Sequence, residues 1–378
     1  MSRALLERGA DVTVITRSVS GQTEVRDDGG VRVVSVAPFH LHPPDFVTWA
    51  AQFNVSLMEA VAREFSSEDF DLVHAHDWIV AYAAKAIKEA WEVPLVATIH
   101  ATEFGRQSGI HNPMQAHISE TEWWLCYEAC RVIVCSRYMR AEVGTVFGVP
   151  RDKLRVIPNG IDSSWFTVRR RKAPEPLIIY VGRLVVEKGP LVLVDALAET
   201  SNRFPDASLV FAGTGPMEGE IAARIAARGL EGRVRLLGHL KDRELKDLYS
   251  RAWVAAFPSS YEPFGIVALE AMATGVPCIV GNTGGLREVV TSGETGLVVE
   301  PNNPLVLADA ISRLISNQDW AEAMAARARR VALSEYSWSD IAGKTVAVYD
   351  EVLGSRGIPV RTLEVAEMRE HVRTGAST

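Results

Sequence analysis

Glu262 and Glu270 bracket an otherwise apolar segment, Tyr261 to Glu270, and that spacing is where chemistry is first suggested. Phe257-Pro258-Ser259-Ser260 closes a buried strand, Pro263 and Gly265 make a turn, and Ile266 to Met272 has helical periodicity. Glu262 therefore belongs to a loop and Glu270 to a helix about two turns in. Eight residues at a helical rise span about 12 Å at most, the reach of a nucleoside diphosphate sugar from ribose to hexose. Between the acids, a helix N-terminus offers free N–H groups and partial positive charge to a diphosphate. Either acid alone would read as an ordinary loop or surface carboxylate, so the flanking elements must decide.

A second cluster lies upstream. Leu177 to Val181 is an apolar strand, and Gly182-Arg183-Leu184-Val185-Val186-Glu187-Lys188-Gly189 follows it before a helix running to Phe204. Arg183 and Lys188 can converge on one anion, one as a planar fork and the other as a point charge. Strand Leu209 to Ala212 ends in Gly213-Thr214-Gly215-Pro216, Val234 to Leu237 leads to Gly238-His239, and Cys278 to Val280 leads into Thr283-Gly284-Gly285-Leu286. Strand ends carrying cations, glycines and two spaced acids suit a nucleotide with a diphosphate better than they suit packing.

The first half repeats the strand–helix alternation. Expected strands are Asp11–Arg17, Val31–Ala37, Asp71–His74, Leu95–Ile99, Val132–Cys135 and Leu154–Ile157. Helices are expected over Met1–Gly9, Phe46–Phe65, Ile79–Trp91, Met114–Cys130 and Tyr138–Phe147. Two strand ends are polar. His76-Asp77-Trp78 offers hydrogen bonds and a ring face to a sugar, and in Thr98 to Arg106 His100 comes directly after a buried strand, followed by an acid, a glycine and an arginine, as in a site loop. A satisfied structural histidine is the plain alternative for His100, and a metal pair is the alternative for His74 and His76, although no third ligand is near in sequence.

The fold class this implies is α/β, with two doubly wound parallel-sheet, Rossmann-like domains and a ligand cleft between them. Boundaries are expected at 1–160 for an acceptor-side domain and 161–176 for a linker whose basic run Arg169–Lys172 is solvated. A nucleotide-sugar domain follows over 177–336, a helix crossing back to the first domain over 337–354, and a tail over 355–378. A helix followed by a strand is an unusual opening for such a domain. The first strand and its glycine-rich loop are expected to be missing.

The composition sets limits. The 378 residues carry a net charge of −7 with interspersed signs, which gives no field for nucleic acid. No run approaches a bilayer span and no signal segment opens the chain, so a cytoplasmic protein is expected, with peripheral membrane contact left open. The four cysteines lack paired spacing and read as reduced core residues, with no metal site.

Taken together, Gly182-Arg183-Leu184 with Glu187-Lys188-Gly189, Gly213-Thr214-Gly215-Pro216, Glu262-Pro263-Phe264-Gly265 with Glu270, and Thr283-Gly284-Gly285 make the chain resemble the retaining glycosyltransferases of glycosyltransferase family 4, which have the GT-B fold. The resemblance implies that Arg183 and Lys188 bind the donor diphosphate, Glu270 the ribose, and Glu262 the donor hexose. It implies His100 near the reacting carbon, Gly182, Gly213, Thr214 and Gly215 around the donor, Gly238 and His239 at the base, and Phe264, Gly265 and Ile266 at the phosphates. His76, Asp77, Trp78, Thr283, Gly284 and Gly285 would be acceptor-side, resembling glycogen and starch synthases. The implied donor is a UDP-sugar or ADP-sugar, the acceptor a glycan, possible α-glucan elongation among them, and no cofactor or metal is required. A catalytically silent relative that binds nucleotide or glucan is the competing reading, because the opening strand is absent.

Overall fold

The computed structural model describes residues 1–39, 41–67, 70–355 and 362–365. The chain divides into two compact units, one made of Met1–Pro158 with the C-terminal helix and the other of Asn159–Ser337.

In the first unit α1 (Ser2–Leu6) leads to β1 (Val12–Arg17), β2 (Glu24–Asp28) and β3 (Val31–Val36), then α2 (Phe46–Glu64), whose first turn is capped by Asp45 accepting the Thr48 N–H. β4 (Leu72–His76), α3 (Ala81–Trp91), β5 (Leu95–Ile99), α4 (Glu103–Gln107), α5 (Pro113–Glu128), β6 (Arg131–Val134), α6 (Arg137–Phe147) and β7 (Leu154–Val156) follow. β4 and β5 are buried along their whole length, as strands covered on both faces must be. Three elements depart from expectation. β2 is a wholly solvent-side strand paired antiparallel with β3, and the loop expected after His100 winds into α4. β4 also runs two residues further than expected, so His76 ends the strand.

The second unit contains β8 (Leu177–Val181), α7 (Pro190–Ser201), β9 (Ser208–Ala212), α8 (Glu218–Ala227), β10 (Val234–Leu236), α9 (Asp242–Arg251), β11 (Val254–Phe257), α10 (Ile266–Thr274), β12 (Cys278–Gly281), α11 (Leu286–Val289), β13 (Leu297–Val299), α12 (Pro304–Ser316) and α13 (Gln318–Glu335). All six strands are parallel, in the order β10-β9-β8-β11-β12-β13. That is the doubly wound order, with its switch point between β8 and β11, where the loops leaving the two strands diverge and open a crevice. The basic run before β8 is only partly solvated: Arg169 and Arg171 are exposed, Arg170 and Lys172 half-buried. Arg171 and Ala173 donate backbone N–H groups to Ser250 and Arg251 carbonyls, the Arg170 guanidinium donates to the Tyr249 carbonyl, and Lys172 pairs with Glu322. Carbonyls left unpaired at the end of α9 give the segment its partners.

After α13 the chain rejoins the first unit. α14 (Trp338–Gly354) buries Ile341, Ala342, Val348, Tyr349, Val352 and Leu353 in the same cluster as Val12, Leu72 and Val96, and Glu351 binds both Arg131 and Arg155. Of the tail expected over 355–378, Ser355 and Thr362–Val365 lie among the described residues and the rest lies outside them. Thr362–Val365 forms β14, parallel to both neighbours in a sheet ordered β2-β3-β1-β14-β4-β5-β6-β7. β14 thus stands inside the sheet, between β1 and β4.

Candidate functional site

At the switch point of the second unit, backbone contacts lace the loops after β8, β9, β11 and β12 together. The Gly182 N–H donates to Ala212, Leu184 to the Thr214 carbonyl, and Ser260 to the Glu187 carbonyl at 2.8 Å. Gly285 donates to the Glu262 carbonyl at 2.8 Å, and Gly213 to that of Gly238 at 2.7 Å. Glycine is required where these loops touch. A Cβ on Gly213, whose φ is +144°, would lie 1.9 Å from the Gly182 oxygen, and one on Gly284 would lie 2.0 Å from the Glu262 oxygen. The same holds for Gly215 against the Leu184 oxygen. These glycines were read as room for a ligand. Their first duty is loop-to-loop packing.

Arg183 and Lys188 do not converge on a shared place; each engages its own acid. Arg183 lies 3.5 Å from Glu187 and is well exposed, while Lys188 donates to Glu262 at 2.8 Å with both side chains only 15% exposed. The Arg183 carbonyl accepts the buried Tyr180 hydroxyl, which steadies the turn. Glu270 is 2% exposed within α10 and accepts the Tyr249 hydroxyl at 3.1 Å. Phe264 is buried, Gly265 caps α10 with φ +108°, Ile266 starts that helix, and Thr283 donates to the Ser260 carbonyl. His239 is exposed beside Gly238.

In the first unit His76 and His100 share a hydrogen bond at 3.1 Å with stacked rings, and His74 is bonded to both Tyr349 and Thr98. The Asp77 carboxylate accepts the His100 N–H at 2.8 Å. Asp77 itself has φ 61° and ψ 174°, a region that costs a residue with a side chain about 1–3 kcal/mol and concentrates at functional sites. Trp78 is a correction: at 3% exposure, with its ring against the edge of Phe46, it presents no face to a sugar. Among the described residues no group of three or more His, Cys, Asp or Glu is placed to hold a metal. Cys126, Cys135 and Cys278 are buried thiols, and no described helix is long and apolar enough to cross a membrane.

Several contacts that hold the site carry no sequence signal, although Glu187 itself stands in a motif the sequence showed. Glu187 supplies its carbonyl to the Glu262 loop, Tyr249 meets Glu270 from another helix, and Glu122 accepts the Glu103 N–H through both carboxylate oxygens. All are contacts between elements, and spacing along the chain does not encode them.

Residues 1–165 match the family description Glycosyltransferase Family 4 and residues 163–331 match Glycosyl transferases group 1. The chain is 36% identical to a glycogen synthase of Mycobacterium tuberculosis, over 92% of this chain and 88% of that one. It is 31% identical to a D-inositol 3-phosphate glycosyltransferase of Xylanimonas cellulosilytica, over 94% and 91%. Its fold superposes on a sucrose-phosphate synthase from Thermosynechococcus elongatus with a TM-score of 0.80 at 25% identity, covering 94% of this chain and 92% of the other. The glycine-locked switch-point loops, the Lys188–Glu262 pair and these matches along both units lead to one conclusion: the chain belongs to the family 4, group 1 glycosyltransferases, GT-B-fold enzymes that use nucleotide sugars.

Proposed function

We propose that this glycosyltransferase moves a hexose, glucose first among candidates, from UDP or ADP to the hydroxyl of a glycan acceptor with retention of anomeric configuration. The observation that carries the reading is Lys188, a nearly buried cation at the switch point whose counter-ion is a carboxylate on the adjoining loop. A diphosphate entering there replaces a carboxylate as the partner of a cation already in place, and Arg183, well exposed on the same loop, adds a second. Glu270, held by Tyr249, is assigned to the ribose hydroxyls, and the backbone beside Gly238 and His239 to the base. His100, fixed by Asp77 and His76, is assigned to the donor sugar.

In the transfer, the bond from the anomeric carbon to the β-phosphate oxygen breaks with its electrons going to the phosphate, and the acceptor oxygen bonds to the same face. The acceptor proton passes to the departing phosphate oxygen. No metal is called on, since side-chain cations and backbone N–H groups meet the new charge. Glu262→Gln should retain some transfer with donor binding intact; complete loss would assign the proton to Glu262 instead.

For the acceptor, an α-glucan is the first reading, supported by the likeness to a glycogen synthase. One observation favours a second, a phosphorylated small sugar or polyol. Arg17 ends β1 with its Nε buried and without a hydrogen-bond partner among the described residues, its guanidinium lying over the Trp49 ring. Relatives whose names include inositol 3-phosphate and sucrose-phosphate point the same way. The test is label transfer from UDP-glucose and ADP-glucose to a glycogen primer and, in parallel, to hexose phosphates. Polymer-bound label establishes the first reading and labelled disaccharide phosphate the second. Silence with every pair, while nucleotide still protects against unfolding, would support a silent nucleotide-binding relative. Cytoplasmic residence is expected and is checked by fractionation, which also reads any peripheral membrane contact.

A further inference from the structure

The segment carrying His100 is tied down from several elements. The His100 N–H goes to Asp77 at the end of β4, and the Thr102 hydroxyl donates to Glu142 of α6 at 2.6 Å while accepting the Gly105 N–H at 2.9 Å. The Cys135 thiol sits 3.7 Å from the His100 carbonyl. The remaining tie is the least expected. The Glu103 N–H donates to both carboxylate oxygens of Glu122, at 3.0 and 2.9 Å.

Glu122 is 1% exposed and lies on the inward face of α5 with Ile118, Leu125 and Cys126. Packing that face asks for an apolar side chain. A carboxyl there is opposed by burial, which pushes its pKa up to about 8, with Asp77 and Glu103 adding to the rise and the Glu103 N–H and Arg106 opposing it. Buried polar groups kept against such opposition have a bonding duty, and among the described residues Glu122 discharges it on the Glu103 amide, three residues beyond His100.

We propose that Glu122 is a positioning residue for glycosyl transfer: by fixing the Glu103 amide it sets where the His100 imidazole stands. The inference rests on the assignment of His100 to the donor sugar made above. Misplacing a reacting or orienting group by about 1 Å can cost 10²-fold in rate, whereas donor affinity is carried by the second unit. A tether of this kind therefore shows in kcat more than in donor KM.

The experiment uses the full chain as wild type, Glu122→Ala and Glu122→Gln. Gln keeps a carbonyl oxygen for the amide and removes the acid. Amide hydrogen exchange across residues 100–106 is measured first, because it needs no turnover. Exchange at Glu103 is expected to rise about tenfold or more in Glu122→Ala and to return near the wild-type rate in Glu122→Gln. Steady-state transfer or donor hydrolysis with the preferred nucleotide-glucose should then show kcat reduced about 10- to 100-fold in Ala, donor KM within about twofold, and recovery in Gln. Unchanged exchange in Ala overturns the tether. In an active enzyme, wild-type kcat in Ala, or losses in Ala and Gln that are equal and track thermal stability, overturn the positioning role. If the wild-type protein transfers from neither donor, the functional reading fails on its own, and the exchange result still decides the tether.

Discussion

The Lys188–Glu262 pair makes a prediction that separates structure from donor chemistry. At 2.8 Å and 15% exposure for each side chain, the bare attraction at an effective dielectric near 20 is about 6 kcal/mol. Desolvation of both ions removes several kcal/mol of that. A coupling of about 2 kcal/mol between Lys188→Met and Glu262→Gln is therefore expected in the nucleotide-free protein, at the low end for close charge pairs. The assay is a double-mutant cycle on the second unit's denaturant transition, with and without saturating nucleotide, since a two-unit chain need not unfold in one step. If Lys188 turns to the diphosphate, nucleotide should shrink the coupling to below about 0.5 kcal/mol. Nucleotide affinity should divide accordingly. Lys188→Met loses a charge-assisted bond, about 1.5–3 kcal/mol or roughly 10- to 100-fold, whereas Glu262→Gln releases Lys188 and binds nucleotide as well as wild type or better. A coupling untouched by nucleotide, or equal weakening in both single variants, would refute the assignment of Lys188 to the phosphates.

Glu122→Gln should be more stable than wild type, and increasingly so with pH. The folded-state pKa of about 8 stands above an ordinary value of 4.5, so between those limits the unfolded state releases a proton that the folded state holds, and wild-type stability falls as pH rises. The gap should be near zero at pH 4.5, about 3 kcal/mol at pH 7 and about 4 kcal/mol at pH 8, read by denaturant unfolding at each pH; a pH-independent gap would be inconsistent with a buried neutral acid. Gly213→Ala places a Cβ 1.9 Å from the Gly182 oxygen at φ +144° and should cost about 3 kcal/mol or more with loss of nucleotide protection. Gly219→Ala, with nothing within 4 Å, should be neutral or stabilising by up to about 1 kcal/mol in the same thermal assay. Asp77→Gly relieves the φ 61° strain while deleting the acceptor for the His100 N–H, so stability should stay within about 1 kcal/mol while transfer falls at least about tenfold.

Buried strands and amphipathic helices were readable because their burial imposes a period on the chain. Leu95–Ile99 and Leu177–Val181 stand where their uninterrupted apolar runs put them. β2 has no such pattern, since Glu24–Asp28 lies at the sheet edge with its side chains in solvent, and only the glycines at 29 and 30, both with positive φ, mark its hairpin. α4 is too short for a period, and its signal is the capping threonine at 102. The basic run before β8 looked like solvated linker because its partners, the carbonyls closing α9 and the acid of α13, are distant in sequence. β14 has the same cause: four residues gain their place from β1 and β4. At the site, residue types and strand ends were legible while pairings were not. Sequence gives Arg183 and Lys188 as neighbours, and geometry assigns each a different acid.

The proposed site residues of the second unit and those around His100 in the first are held by different physics, and this has a consequence for variation. In the second unit the loops are joined backbone to backbone, with Gly213, Gly215, Gly284 and Gly285 each at a place where a Cβ would strike main-chain atoms. Main-chain atoms cannot step aside as a flexible side chain can, so substitutions there should fail whatever their polarity. Around His100 the ties run through the side chains of Asp77, Glu122 and Glu142. Conservative replacement at those positions can keep a bond and move it by tenths of an ångström, so sequence can vary the setting of the His100 segment without unmaking the fold. Saturation mutagenesis scored by nucleotide protection should therefore find the switch-point glycines intolerant of nearly every residue. The three acids should lose transfer with protection intact. Loss of protection from the acids, or tolerance at the glycines, would show that the two sets of residues are not held independently.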